Sequence, residues 1–168
     1  KITDLPIMAY NIPGRTSTLI ELETLQTLVD DIGIHSIKDA VGDFEFSKKQ
    51  LELLKDKVDI YSGNDNQTYD FVINGGVGVV SVASHVVGDE ISEMISFAKD
   101  NDLEKAEEIN MQLSNLFEAI FEEPSPGPIK KILSESWEEV GEPLLPITSI
   151  TPELANKIRG FYKKIKEN

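Results

Sequence analysis

Four short apolar runs punctuate the first half of the chain, at 7–10, 35–38, 59–62 and 78–83. Their length and content predict buried β-strands. The last, Val79-Val80-Ser81-Val82-Ala83, is β-branched and nearly continuous in apolar character, the pattern of a parallel strand covered on both faces. Between the runs, apolar residues recur at helical spacing. Leu22, Leu25, Leu28, Val29 and Ile32 predict a helix over 20–32, with Gly33 as its stop. Leu51, Leu54 and Val58 predict one over 47–58, Tyr69, Val72 and Ile73 one over 66–74, and Ile91, Met94, Ile95 and Ala98 one over 89–99. Strands alternating with helices of this length predict parallel βαβ units.

Beyond residue 102 only helical spacing remains. Leu103, Ala106, Ile109, Leu113, Leu116, Phe117 and Ile120 predict a helix over 103–122. The proline-rich stretch 124–128 breaks it, because proline removes backbone donors and fixes φ. A helix over 129–140 follows, stopped at Gly141. The last opens with Thr151 as N-cap and Pro152 at the first helical position, and closes on Lys163, Lys164 and Lys166, which suit its dipole. The predicted division is βα units over 1–100 and a helical extension over 101–168. Four parallel strands fit either an open sheet or half of an eight-stranded barrel, and periodicity does not separate these. In both, ligand chemistry gathers at the C-terminal strand ends.

Charge narrows the partners. The 168 residues carry 16 Lys and Arg against 30 Asp and Glu, a net charge of −14. Nucleic-acid and anionic-lipid surfaces need clustered cations, so neither is an expected partner. There is no cysteine, which removes disulfides, thiolate metal sites and thiol nucleophiles from consideration. No apolar run reaches the length of a membrane-spanning helix. The opening Lys1-Ile2-Thr3-Asp4 is polar and mixed in charge, unlike a secretory leader, so the cytoplasm is the expected compartment. A first residue other than Met, with a strand following almost at once, reads as a start inside a larger unit.

The strand ends carry the candidate chemistry. The first ends Tyr10-Asn11-Ile12-Pro13-Gly14-Arg15-Thr16, the second Lys38-Asp39-Ala40-Val41-Gly42-Asp43, the third Ser62-Gly63-Asn64-Asp65, and the fourth runs on to His85. A lysine desolvated at such a position favours its neutral amine, which can attack a carbonyl and form a Schiff base. The commoner reading of Lys38 is a side chain that reaches solvent or pairs with Asp39. Tyr10 can relay a proton, or simply pack with its hydroxyl satisfied. Arg15 can clamp a carboxylate from a defined turn, or stand on the surface of an acidic chain. Asp65 reads as a helix cap. Gly76-Val77-Gly78 precedes a strand instead of following one, so it is no dinucleotide loop, and His35 and His85 are too far apart in sequence to suggest a zinc pair.

Taken in register, four segments resemble the dihydrodipicolinate synthase family, a branch of the Schiff-base aldolases that also includes N-acetylneuraminate lyase. They are Tyr10-Asn11-Ile12-Pro13-Gly14-Arg15-Thr16, Ile37-Lys38-Asp39-Ala40, Ser62-Gly63-Asn64-Asp65 and Gly75-Gly76-Val77-Gly78-Val79-Val80-Ser81-Val82. The resemblance implies an α/β fold, the C-terminal half of a (β/α)8 barrel (strands five to eight) followed by C-terminal helices. It implies that Lys38 forms the Schiff base with pyruvate and that Tyr10 shuttles protons. It places Arg15 on the carboxylate of aspartate semialdehyde and Val80 and Gly63 along the pyruvate pocket. The activity implied is a lyase reaction in lysine and diaminopimelate biosynthesis, without metal or organic cofactor. Arg15 favours the synthase over the lyases. Ser125 and Gly127 depart from the family's usual Asn-Pro-Ile-Pro. The threonine relay, the tyrosine that crosses the dimer contact and the lysine-binding site belong to strands outside this stretch. A homo-oligomer, or association with a complementary N-terminal half, is the expected assembly. The alternatives are another pyruvate aldolase of the superfamily, acting on a sugar acid or hydroxy-oxoglutarate, and a non-catalytic fragment that self-associates.

Overall fold

The computed structural model describes residues 3–167. The chain forms two compact units, Lys1–Ser81 and Val82–Asn168. The fourth unit's helix therefore groups with the helical tail, whereas the sequence rhythm places the division at residue 100.

In the first unit, β1 (Met8–Asn11), β2 (Ser36–Asp39), β3 (Asp59–Ser62) and β4 (Gly78–Val79) pair in parallel, in chain order. The connections are α1 (Pro13–Thr16) and α2 (Leu22–Thr27), then α3 (Phe44–Leu53), then α4 (Thr68–Ile73). Ile37 of β2 and Ile60 of β3 meet Leu25 of α2, Leu51 of α3, Leu54 and Phe71 of α4 in one buried core. All three longer helices thus lie on one face of the sheet. Crossovers between parallel strands are right-handed, so a sheet wound in strict chain order sends every helix to the same side. A doubly wound sheet reverses direction and covers both faces. The winding is that of a barrel, which decides between the two architectures that periodicity left open.

The strand predictions hold within a residue for β1 to β3. The fourth strand is shorter than 78–83: only Gly78 and Val79 pair with β3, and the Val80 N–H adds one more bond to the Ser62 carbonyl. Nor is it covered on both faces, since Val80 is half-exposed. Beyond it, α5 (Ser84–Lys99) starts well before residue 89, with non-helical backbone at Val87. Helix α3 begins at Phe44, not Ser47, because the Asp43 carboxylate accepts from the N–H groups of Glu45 and Phe46 and caps the helix early. Helix α2 ends in a π-helical turn, Leu28–Ile32, closed by Gly33 in the left-handed conformation.

The second unit contains α5, α6 (Leu103–Ala119), α7 (Gly127–Ser136) and α8 (Pro152–Lys166). Helix α5 packs on α6 and α7, and α8 packs on the same two. Met94, Leu113, Phe117, Ile120, Ile132 and Ile158 are buried. The 124–128 stretch starts α7 as well as breaking the chain, with Pro128 in the first turn, and α7 ends before Gly141 is reached. Thr151 caps α8 as predicted, its Oγ1 accepting from the Leu154 N–H. Among the described residues no helix is long and apolar enough to cross a membrane.

Candidate active site

Strand pairing aligns residues far apart in sequence. Tyr10, Lys38, Tyr61 and Gly78 are successive Cα partners across β1 to β4. Asn11, Asp39, Ser62 and Val79 form the next row. Adjacent residues of a strand face opposite ways. Because Ala9, Ile37 and Ile60 face the helices, so does the second row, and the first row faces the side that no helix of this unit covers.

On that open face, the Lys38 Nζ lies 4.2 Å from the centroid of the Tyr10 ring. The ring's electron-rich face holds a cation there, an interaction worth about 0.5–2 kcal/mol depending on desolvation. Tyr10 is 45% exposed, so the pair is reachable by a small molecule. Tyr61 flanks Lys38 on its other side, a neighbour that the strand-end motifs do not point to. Its one signal in the sequence is the alternation of Asp59-Ile60-Tyr61-Ser62, which sets Tyr61 in phase with Lys38 once the register is known.

The opposite row is buried and polar. The Asn11 side chain donates to the Ile20 carbonyl (2.9 Å) and accepts from the Ile20 N–H (3.0 Å), tying the end of β1 to the start of the following helical segment. The Asp39 carboxylate accepts from the Val41 N–H (2.9 Å), the Ser47 hydroxyl (2.8 Å) and the Gln50 amide (3.2 Å). The Ser62 hydroxyl donates to the Asn64 carbonyl (2.8 Å). Asp65 does not hold the N-cap position of the helical segment it opens, which belongs to Asn64. Asp65 lies buried in the short 3-10 turn Asp65–Gln67 and accepts from the Ser81 hydroxyl. Asp39 is only 2% exposed, and that burial raises its carboxyl above the usual carboxylate range, while its three donors pull the other way. The suggested Lys38–Asp39 ion pair is not formed: the two side chains leave opposite faces of β2.

The remaining predicted residues occupy the strand ends. Gly63 follows β3 and its N–H donates to the Asp39 carbonyl at 2.5 Å. A Cβ there would stand 2.7 Å from the Ala40 Cβ and 2.9 Å from the Asp39 oxygen, so glycine is needed for the approach of the two backbones. Val80 follows β4. Arg15 is exposed on α1, whose turn is closed by the Ile12 carbonyl accepting from the N–H groups of Arg15 and Thr16. Among the described residues nothing joins the Arg15 side chain to Lys38 or Tyr10, and no group of three or more His, Asp or Glu side chains could hold a metal ion.

Residues 1–165 match the model of the dihydrodipicolinate synthetase family. The chain belongs to this family. It is 44% identical over 162 residues to the 4-hydroxy-tetrahydrodipicolinate synthase of Microcystis aeruginosa, covering 96% of this chain and 54% of that protein. It is 34% identical over 165 residues to the enzyme of the same name from Listeria monocytogenes serotype 4b (strain CLIP80459), covering 98% and 56%. Among solved structures it resembles dihydrodipicolinate synthase from Thermotoga maritima (TM-score 0.93, 30% identity, 98% of this chain and 57% of that one). It likewise resembles the synthase from Bacillus anthracis (TM-score 0.90, 35% identity, 96% and 55%). The chain thus spans about half the length of the family members it matches.

Proposed function

We propose that this chain carries the lysine half of a Schiff-base pyruvate aldolase of the 4-hydroxy-tetrahydrodipicolinate synthase type. The observation that supports the reading best is the Lys38 amine held against the Tyr10 ring on the open face of the sheet. The Lys38 amine adds to the ketone carbon of pyruvate, and loss of water gives an imine. Loss of a methyl proton gives an enamine, which attacks the aldehyde carbon of aspartate semialdehyde. Tyr10 passes protons in both stages. Arg15 binds the semialdehyde carboxylate with two parallel N–H donors. Gly63 and Val80 line the pyruvate side. Attack of the semialdehyde's own amine on the imine carbon closes the ring and frees Lys38. The route needs no cofactor, since the imine is the electron sink, and it belongs to the cytoplasm.

A coverage near half of the relatives fits either half of their barrel. The order of elements favours the C-terminal half: the fourth βα unit is followed by α6, α7 and α8, with no further strand among the described residues. An N-terminal half would lead into a fifth strand. On this reading the βα units over 1–100 carry the site, and 101–168 is the helical extension. The open face and the unpaired edges of β1 and β4 are where the complementary half, or another copy, completes the barrel. Alone, the chain turns over poorly, because the rest of the relay lies in that half.

Mass spectrometry after incubation with pyruvate and borohydride tests the reading. A covalent adduct on Lys38, absent in Lys38→Ala, is expected once a complementary N-terminal half of a relative is supplied. An adduct of equal yield in Lys38→Ala would refute it. Offering sugar acids beside aspartate semialdehyde separates the synthase from other pyruvate aldolases of the superfamily.

A further inference from the structure

We propose that Asp39 is the positioning residue of Lys38, acting from the opposite face of β2 to hold the lysine against Tyr10. The inference rests on the reading of Lys38 as the reactive amine. Asp39 stands in the helix-facing phase of β2, where Ile37 and Ile60 pack into an apolar core. A carboxylate is an expensive choice for such a position unless its bonds are all used. Here they hold the β2–α3 junction. One oxygen accepts from the Val41 N–H and folds the chain back immediately after the strand. The other accepts from Ser47 and Gln50, in the first and second turns of α3.

The backbone around Asp39 is fixed from both neighbouring strands. Its carbonyl accepts from the Gly63 N–H, and the next N–H, that of Ala40, donates to the Asn11 carbonyl at 2.9 Å. The close approach of Gly63 leaves no room for a Cβ. The residue after Lys38 is therefore held by β1, by the segment after β3 and, through its carboxylate, by α3. Lys38 itself extends from the face of this frame that no helix of the unit covers. Without the carboxylate, the frame loses its only side-chain anchor to α3 among the hydrogen bonds of Asp39, and the Lys38 stem is free to leave the ring.

The Tyr10 ring supplies a readout that needs no substrate. The expected NMR signal is an upfield displacement of the Lys38 ε-methylene protons, since the Nζ they adjoin lies 4.2 Å from the ring centroid, and Tyr10→Ala, by abolishing the displacement, identifies it. In Asp39→Ala most of the displacement is lost. In Asp39→Asn it is kept: the amide oxygen still accepts from the Val41 N–H, and the amide nitrogen donates to the Ser47 hydroxyl oxygen, whose own proton goes to the Asp43 carbonyl, and to Gln50 Oε1 once the Gln50 amide turns over. Should Asp39→Ala fail to fold, Ser47→Ala, which removes one donor and keeps a good helix former, loses a smaller part of the displacement. Full displacement in folded Asp39→Ala, or in Ser47→Ala where the first does not fold, overturns the proposal. These spectra do not depend on pyruvate, so borohydride capture on the unaltered chain remains a separate test of Lys38 as the Schiff-base residue.

Discussion

Two carboxylates, one in each unit, depart from ordinary behaviour in opposite directions. Asp39 in the βα unit is buried and surrounded by neutral donors, and desolvation raises its pKa. Glu135 on α7 is gripped by the Arg159 guanidinium through two bonds of 2.8 Å and by Lys131 at 3.1 Å, and its pKa falls from 4.5 to about 2. The contrast teaches that a large shift and a large structural role are different things. Glu135 is exposed at the surface, where solvent screens the pair and reduces its worth to about 1 kcal/mol. Asp39 has the less favourable titration but is the harder to remove, because a backbone N–H, a hydroxyl and a buried amide all donate to it.

The strongest test of that contrast is Asp39→Ala. Orphaning the Val41 N–H and the Gln50 amide, and leaving the Ser47 hydroxyl only the Asp43 carbonyl, costs on the order of 3 kcal/mol, read as a roughly hundred-fold faster hydrogen exchange in β2 and α3. Equal exchange rates would show that the donors find other partners. Next comes Gly63→Ala. The added methyl meets the Asp39 oxygen and Ala40, and the overpacking costs about 1–3 kcal/mol, measured by urea denaturation. Glu135→Gln should cost about 1 kcal/mol at low salt and less at high salt, by the same measurement. A salt-independent loss would mean that packing, not charge, is what Glu135 contributes.

The finest distinction is the response to acid. Glu135 binds its proton less readily when folded, so its stabilisation is present above about 4.5 and lost as the pH falls towards 2. Asp39 binds its proton more readily when folded, so its contribution is most favourable in acid and declines as the pH rises through its folded value. Denaturation across the acid range should therefore show the wild-type advantage over Glu135→Gln shrinking as the pH falls. The stability of the wild type relative to Asp39→Asn should instead improve as the pH falls. Parallel trends in the two pairs would break the comparison.

Much of the frame is legible in the chain itself. The βα rhythm, the change to helices after residue 102, the Gly33 stop and the Thr151-Pro152 start all follow from local pattern, because each needs only a few neighbouring residues. The family is legible too, from four strand-end segments in register. What fails are features set from a distance. β4 stops at Val79, although the apolar pattern runs to Ala83, because only two of its residues find partners in β3. Asp65 is buried against Ser81, sixteen positions on. Tyr61 escapes notice because nothing local distinguishes it.

Which elements form, and which side chains end each strand, is set locally along the chain. Periodicity and capping act within a turn or two, so they are written along the chain. The face that each strand-end residue occupies is set instead by long-range pairing. A shift of one residue in pairing would exchange Lys38 with Asp39, burying the amine and exposing the carboxylate. The pairing of Tyr10 with Lys38 and of Lys38 with Tyr61 prevents that exchange, and both partners are more than twenty residues away.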